Sequence, residues 1–294
     1  MRILNFKEKK AEEITIEDLR LTVDERKSGG RPVNGVRHVE LWDKIQERLT
    51  RNNINFHTGP IYATDGGPGA LPGASYIQDL APQYGNNDIR TFILRRVIGS
   101  FQLTDHSDEQ SLGQIAISYH QQGIMIAYGQ HVRVCSNLAI MGRDNVMSTY
   151  GEGFGKISNI EHMLEVIETW SNSHQEKRRQ NLKTIEVMQG MEIGRKDAEE
   201  FIGYLNVLRV QKDVFHSVSN YALNQGQINA FIERYIKDLG SRQNPEDMMS
   251  LWDLYNIGTE FHKPNTTDLP LIIPNNIALF EAMNEKFNIT ALTT

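Results

Sequence analysis

ISYHQQGIMIAYGQHVRVCSNLAIMG, residues 117–142, contains the clearest structural pattern in the chain. Segments of alternating apolar residues flank Gln121-Gln122-Gly123, where a glycine permits the left-handed backbone of a tight turn, and this spacing predicts a β-hairpin. Alternation places large side chains on one face: Ile115, Ile117, Tyr119, Ile124, Ile126 and Tyr128. It places smaller or polar side chains on the other face: Ala116, Ser118, His120, Ala127 and Gly129. Because small residues on a sheet face admit a close neighbour, we expect both faces to be covered.

The segments around the hairpin predict the fold class. RTFILRRVIGSFQL, residues 90–103, also alternates and predicts a further strand. Apolar residues at helical spacing predict an amphipathic helix over 38–51, and Asn275 or Asn276 is expected to cap a last helix after Pro274. The predicted class is α+β, with an antiparallel β-meander in the N-terminal half and a mostly helical C-terminal half. We expect three regions: a polar N-terminal arm over 1–37, an α+β domain over 38–150, and a helical region over 151–294 packed on it.

The composition limits the classes of function. The chain has 294 residues, a formal net charge of −6 and a single cysteine, Cys135, which excludes an internal disulfide and multi-cysteine zinc motifs. No apolar run approaches the roughly 20 residues that span a bilayer, and the N-terminal segment does not resemble a secretory signal. We therefore expect no membrane association and a cytoplasmic location. The negative charge opposes nonspecific adhesion to nucleic acid, so nucleic-acid binding would require a local basic surface.

Catalytic motifs are weakly represented. YGEGFGKIS, residues 150–158, has the glycine spacing of a phosphate-binding loop, but no kinase catalytic motif accompanies it. Its Gly-Lys pair is followed by Ile157, where a nucleoside-triphosphatase loop has Ser or Thr. His120 and His131 lack a metal-binding spacing, and Cys135 lacks a base oriented by a third group. We expect no catalytic residue, no metal and no cofactor, and a packing role for the histidines and the cysteine. A metal- or cysteine-dependent enzyme that uses His120 or Cys135 is the alternative.

Basic residues form two candidate nucleic-acid-binding groups. The first lies on or beside the predicted meander, among aromatic residues on which unpaired bases stack: Arg90, Arg96 and Arg133. The second lies in the segment HQEKRRQNLK and is suited to binding phosphates: Lys177, Arg178, Arg179 and Lys183. Each has an alternative interpretation, since the aromatics fit core packing and the second group fits a solvated helix face. In addition, Arg95 and Arg96 point to opposite faces of one strand and cannot both serve one groove without a bulge.

The turn after the hairpin, RVCSN at residues 133–137, resembles a motif of phage and plasmid-like proteins. These proteins form the family called domain of unknown function 932, with a relative, 3871, in Bacteroidetes elements. The later segments GQINAFIERYIKDL and LWDLYNIGTEF look like the closing helices of the second group, so the resemblance extends over residues 40–290. The first family often has an upstream Ser-His-Asp-Gly-Ser stretch, which Ser118, His120 and Gly123 match only loosely, with Gln in place of the acid. The resemblance implies a mobile-element origin and a host-cytoplasm setting, but no activity, cofactor or catalytic residue.

Two hypotheses for function follow from these patterns. The first is a noncatalytic phage or mobile-element protein that binds single-stranded DNA, as an oligomeric accessory in annealing or recombination. A meander followed by helices is the general plan of strand-annealing proteins, and the arm over 1–37 is long enough to bridge two subunits. The second is a protein-interaction factor, such as a regulator, virion component or counter-defence protein, that binds a host or phage protein and no nucleic acid. The acidic balance suits the second.

Overall fold

A computed structural model describes residues 11–21, 23–24, 31–32, 34–65, 93–104, 111–120, 123–132, 137–150, 155–210, 225–240, 248–263 and 269–292. Within these segments a large sheet in the N-terminal half carries helices on its faces, and the C-terminal half is mainly helical. The predicted α+β class is therefore confirmed. None of the helices in these segments combines the length and hydrophobicity needed to cross a membrane.

The sheet is organised round an antiparallel meander of three long strands: β5 (Ile93–Leu103), β6 (Ser111–His120) and β7 (Gly123–Val132). Shorter strands extend the β5 side: β1 (Glu12–Ile14), β2 (Val23–Asp24), β3 (Phe56–Thr58) and β4 (Ile61–Asp65). Others extend the β7 side: β8 (Asn137–Ala139), β9 (Val146–Ser148) and β10 (Gly155–Lys156). The main path runs β1-β4-β5-β6-β7-β9-β10, with β2 and β3 on β5 and β8 on β7. Part of the segment expected to be a polar arm thus supplies β1 and β2.

The helices lie mostly after the sheet in sequence. Two precede the meander: α1 (Ile16–Leu21) and α2 (His38–Arg51). The others follow it: α3 (Ile160–Asn172), α4 (His174–Gly190), α5 (Arg195–Val210), α6 (Gln225–Gly240), α7 (Leu251–Thr259) and α8 (Ile272–Phe287). A short ribbon, β11 (Glu192–Ile193) with β12 (Met249–Ser250), and a 3-10 turn, Glu260–His262, lie among them. Helix α2 has the bounds that the sequence predicts.

Register within the meander determines which side chains share a face. Tyr119 pairs with Ile124 across the hairpin, and Gln102 of β5 pairs with Gln114 of β6. The predicted hairpin and the two sets of side chains on its faces are therefore confirmed. The large set packs in one hydrophobic cluster, and Ala116 and Ala127 pack in another on the opposite side, so both faces are covered as expected.

The first face of the sheet packs against α2 and α3. Trp42 of α2 is completely buried there, and Gly99 of β5 lies directly under its indole ring. A Cβ atom at residue 99 would lie only 2.9 Å from Cζ2 of Trp42, closer than real Cβ contacts allow. Arg48 of α2 joins the two helices, because Nη1 donates to Oε2 of Glu168 at 2.8 Å and Nη2 donates to Oε2 of Glu161 at 3.3 Å.

The second face is covered by the beginning of α8 and the turn before it. The residues that meet across this contact are apolar: Ile98, Ala116, Met125 and Ala127 from the sheet, and Leu269, Ile272, Ile273 and Ile277 from the helical side. Helix α8 begins at Ile272, so the predicted cap at Asn275 or Asn276 is wrong. Pro274 lies in the first turn, where its missing N–H interrupts no helical hydrogen bond. Asn276 is buried inside the helix and donates from Nδ2 to the carbonyl of Ile272 at 2.8 Å.

The C-terminal helices enclose a second core, which packs against the end of the sheet. Its largest fully buried side chains are Phe201, Phe231 and Tyr255. Arg143, in the turn between β8 and β9, donates from Nη2 to Oε2 of Glu281 on α8 at 3.0 Å. This ion pair connects the sheet to the helical half on the side where the second face is covered.

Candidate functional site

A cleft of about 560 Å³ lies between the second face of the sheet and the C-terminal helices. Strands β5 and β6 form its floor, and the end of α7, the turn Glu260–His262 and the start of α8 form its wall. Its described lining residues are Pro60, Tyr62, Ile98, Gly99, Ser100, Gln102, Gln114, Ala116, His131, Leu138, Thr259, His262, Lys263, Ile272 and Asn276. A concave, largely apolar surface of this volume with a few polar groups is typical of sites for small organic molecules.

The floor presents three neutral polar side chains next to apolar ones. Ser100, Gln102 and Gln114 lie on neighbouring strands with their side chains on the cleft side, and the two glutamines are direct partners in the register. Gln114 is 8% exposed, and its Oε1 is buried without a hydrogen-bond partner among the described residues. A buried carbonyl oxygen without a partner costs about 1–3 kcal/mol of folding free energy. A ligand that donates a hydrogen bond to this oxygen would recover that free energy.

The wall adds a fully buried imidazole. His262 is 2% exposed, and burial lowers its pKa to about 3, although a hydrogen bond with Asn276 opposes that shift. The ring is therefore neutral at physiological pH and offers one donor and one acceptor. Thr259 and Asn276 add a hydroxyl and an amide to the same side of the cleft.

Charge is distributed unevenly between the cleft and the rest of the protein. Asp and Glu make up 37 of the 294 residues, yet none of the described residues that line the cleft is acidic. Lys263 is among the lining residues, the imidazole of His262 is uncharged, and the hydroxyl of Tyr62 donates to the carboxylate of Glu13. The described lining is therefore poorer in acidic residues than the chain as a whole, whose net charge is −6.

The structure places the predicted basic residues in separate environments. Lys177 of α4 is half-buried, and its Nζ donates to Oδ1 of Asn145 at 2.8 Å. The same Nζ lies 5.6 Å from the ring centroid of Tyr128 and 5.8 Å from that of Trp170, and burial lowers the pKa of Lys177. The geometry gives Lys177 a structural contact, in which a cation between two aromatic rings fastens α4 to the sheet.

The other predicted cations that the structure describes lie on two elements, α4 and β5. Arg178 is half-buried, Lys183 is exposed, and Arg179 forms an ion pair with Glu176 one turn earlier on α4. Arg96 is exposed on β5 opposite His120, at the far end of the strands from the Tyr128 contact with α4. Arg90, Arg133 and the cysteine Cys135 lie outside the described residues.

The two hairpin histidines have different surroundings. The Nε2 atom of His120 contacts the hydroxyl of Tyr150, and Nδ2 of Asn34 donates to the His120 carbonyl at 2.8 Å. Burial, and secondarily the charge of Arg96, lowers the pKa of His120 to about 4, and burial raises the pKa of Tyr150. A neutral imidazole accepts from a protonated phenol, so this pair closes the end of the hairpin. His131 instead lines the cleft. Within the described part of the chain no three His, Cys, Asp or Glu residues are grouped as metal ligands.

Sequence patterns identify the cleft only in part. Alternation places Ser100, Gln102 and Gln114 on the same face of their strands, but it does not distinguish a ligand site from a covered surface. His262 and Lys263 follow the meander by more than a hundred residues, and no local pattern associates them with it. The residues of the cleft were therefore not identified from the sequence.

Comparisons of the chain with protein-family models, with curated proteins and with solved structures gave no match. The resemblance of the RVCSN turn to domains 932 and 3871 therefore stays a prediction.

Proposed function

We propose that this protein binds a small organic molecule in the cleft between the sheet and α8, without catalysing a reaction. One observation carries the proposal: the buried, unpartnered Oε1 of Gln114 on the floor of a concave site. A buried acceptor without a partner costs free energy, and a donor from a ligand in the cleft would recover it. The two cores that meet at the cleft hold its floor and wall on regular elements, which favours a preformed site.

Replacing Gln114 by leucine separates binding from stability. Leucine has a similar volume and removes the unpartnered carbonyl, so we expect Gln114→Leu to raise the free energy of unfolding of the ligand-free protein by about 1 kcal/mol. We expect the same change to abolish binding, because the floor loses its acceptor. Urea unfolding measures the first effect. Thermal-shift and calorimetric titrations with nucleosides, monosaccharides, amino acids and their phosphorylated or carboxylated forms measure the second.

Ser118→Ala is the matched control for this experiment. Ser118 lies on the same face of β6, is buried, and also has an unpartnered oxygen among the described residues, but it does not line the cleft. We expect Ser118→Ala to raise stability in the same direction and to leave binding unchanged. A wild-type protein that binds no compound of these classes, or a Gln114→Leu variant that binds them equally well, would refute the proposal.

We also propose single-stranded DNA as a second ligand, on one specific observation. Arg178, Arg179 and Lys183 lie within two turns of α4, a helix held against the meander by Lys177 and by the Tyr128 hydroxyl, which donates to the His174 carbonyl at 3.0 Å. The ion pair of Arg179 with Glu176 and the position of Arg96 on another element argue against this proposal. This proposal includes the mobile-element origin, the cytoplasmic setting and the self-association that the sequence suggested.

Titration of labelled single-stranded and duplex DNA at several salt concentrations tests this second proposal. Three phosphate contacts predict a slope of log K against log salt of about −2 for a single strand. Changing all three basic residues to glutamine should remove that slope. Lys196→Gln, an exposed position on α5, is the control. A flat salt response, or no saturable binding at low salt, would leave a protein partner as the alternative, to be identified by cross-linking in the host.

A further inference from the structure

We propose that the ligand of the cleft is a cyclic amide, a ring in which an N–H group adjoins a carbonyl, as in pyrimidine nucleosides and lactams. The N–H of the ligand donates to Oε1 of Gln114, and its carbonyl accepts from the side-chain amide of Gln102. This inference rests on the proposed binding function and names the chemical class of ligand. It starts from the pairing of two glutamines on the floor of the cleft.

The floor places two carboxamide side chains next to each other. Gln102 and Gln114 are register partners on β5 and β6, and both line the cleft. Cross-strand partners of this kind have Cβ atoms about 4.5–5.5 Å apart. The Nε2 atom of Gln102 lies beside the turn at Gly59 and Pro60, 3.6 Å from the position that a Cβ atom of Gly59 would occupy, and Pro60 also lines the cleft. The two side chains therefore border the same space.

Carboxamide side chains are suited to a ligand edge on which a donor and an acceptor are adjacent. Each carboxamide has a carbonyl that accepts and an NH₂ group that donates, and glutamine and asparagine recognise adenine through such an edge. On the floor, Oε1 of Gln114 lacks a donor among the described residues, so an N–H of the ligand would supply the missing hydrogen bond. A carbonyl next to that N–H would meet the NH₂ group of Gln102.

The third carboxamide of the described lining is engaged within the protein. Asn276 donates from Nδ2 to the carbonyl of Ile272 at 2.8 Å, and its side chain also forms a hydrogen bond with His262. We therefore assign the polar edge of the ligand to the two glutamines of the floor. The lining also contains apolar residues, Ile98 and Leu138 among them. They favour a ring over a small open-chain amide, because binding removes more apolar area of a ring from water.

Pairs of methyl isomers test the inference, because moving one methyl group removes the N–H without changing the atomic composition of the ligand. One pair is 5-methyluridine, which has a ring N–H, and 3-methyluridine, which lacks it. The other is 6-methyl-2-piperidone, which has a lactam N–H, and 1-methyl-2-piperidone, which lacks it. In calorimetric titrations we expect the N–H isomer of the preferred scaffold to bind at least about tenfold more tightly, since the other isomer leaves Gln114 without a donor.

Gln102→Leu and a matched control complete the test. The variant removes the donor to the ligand carbonyl, which both isomers of a pair contain. We therefore expect Gln102→Leu to weaken both isomers by a similar factor, about tenfold, and to retain the preference for the N–H isomer. Gln189→Leu makes the same change at an exposed position of α4 and should alter neither the affinities nor the preference.

The outcomes separate this inference from the binding function. Isomers that bind equally well in a Gln114-dependent manner would overturn the amide assignment and leave the binding function standing. Gln114-dependent binding of monosaccharides but of no amide, or wild-type affinities in the Gln102→Leu variant, would have the same consequence. Failure of every compound to bind would overturn the binding function as well.

Discussion

Trp42→Ala is expected to lower the free energy of unfolding by about 3–5 kcal/mol, because the indole is completely buried between α2 and the first face of the sheet. The indole N–H has no hydrogen-bond partner among the described residues, so the loss comes from packing alone. Trp42→Phe, which keeps most of the packing and removes the unpartnered donor, should lose much less. Urea unfolding monitored by circular dichroism measures both.

Gly99 provides a second substitution that isolates this contact. A methyl group at residue 99 would lie 2.9 Å from Cζ2 of Trp42 and 3.2 Å from Cγ1 of Ile61, so Gly99→Ala should cost about 1–3 kcal/mol. Phenylalanine at residue 42 has no atom at Cζ2, and the cost of Gly99→Ala should therefore fall in the Trp42→Phe background. The difference between the two backgrounds is the coupling free energy of the pair.

Gly203→Ala is the matched control, since it lies in α5 with open space around its missing Cβ. There we expect a gain of up to about 1 kcal/mol from helix propensity. Equal costs of Gly99→Ala in both backgrounds would contradict the packing that we describe.

Mild acid is expected to destabilise the protein through two neutral buried histidines. Burial holds the pKa of His262 at about 3 and that of His120 at about 4, whereas both are about 6.5 in an unfolded chain. Between these values the unfolded chain binds protons that the folded protein does not, so stability is present above pH 6.5 and falls as the pH is lowered. Together they should lower the free energy of unfolding by about 3 kcal/mol between pH 7 and pH 5.

Single variants assign this pH dependence. His262→Gln and His120→Gln should each remove about half of the slope of unfolding free energy against pH. His57→Gln, at an exposed position on β3, should leave it unchanged. Urea titrations at a series of pH values provide the measurement. If the His262→Gln and His120→Gln variants both keep the wild-type slope of unfolding free energy against pH, groups other than these histidines control stability in acid.

The sequence predicted the meander well because its two faces differ in side-chain size. Large residues at every second position between Ile115 and Tyr128 leave one register that buries them, and this register is found. Helix α2 was equally clear, since its apolar stripe ends beside polar residues at Asn52 and Asn53. The beginning of α8 was misplaced because Pro274 was interpreted as a boundary, although proline is compatible with a first helical turn.

The candidate site was less predictable, because it depends on residues that are distant in sequence. Basic clusters suggested a phosphate-binding surface, but aromatic rings and Asn145 hold Lys177, and Glu176 pairs with Arg179. The aromatic rings and Asn145 lie on other elements, so the basic segment alone does not reveal them, and Glu176 lies within the segment itself. The cleft depends instead on the packing of α8 against β5 and β6, a tertiary contact without a local signal.

The covering of the second sheet face by α8 affects how the protein is made. Ile272 follows the last residue of β7 by 140 positions, so a ribosome adding about 5–20 residues per second needs roughly 7–30 seconds to deliver the cover. During that interval the meander can form its hydrogen bonds while Ile98, Met125 and their neighbours remain in contact with water. The growing chain therefore passes through a stage in which a hydrophobic sheet surface is exposed. Molecular chaperones bind nascent chains with such surfaces.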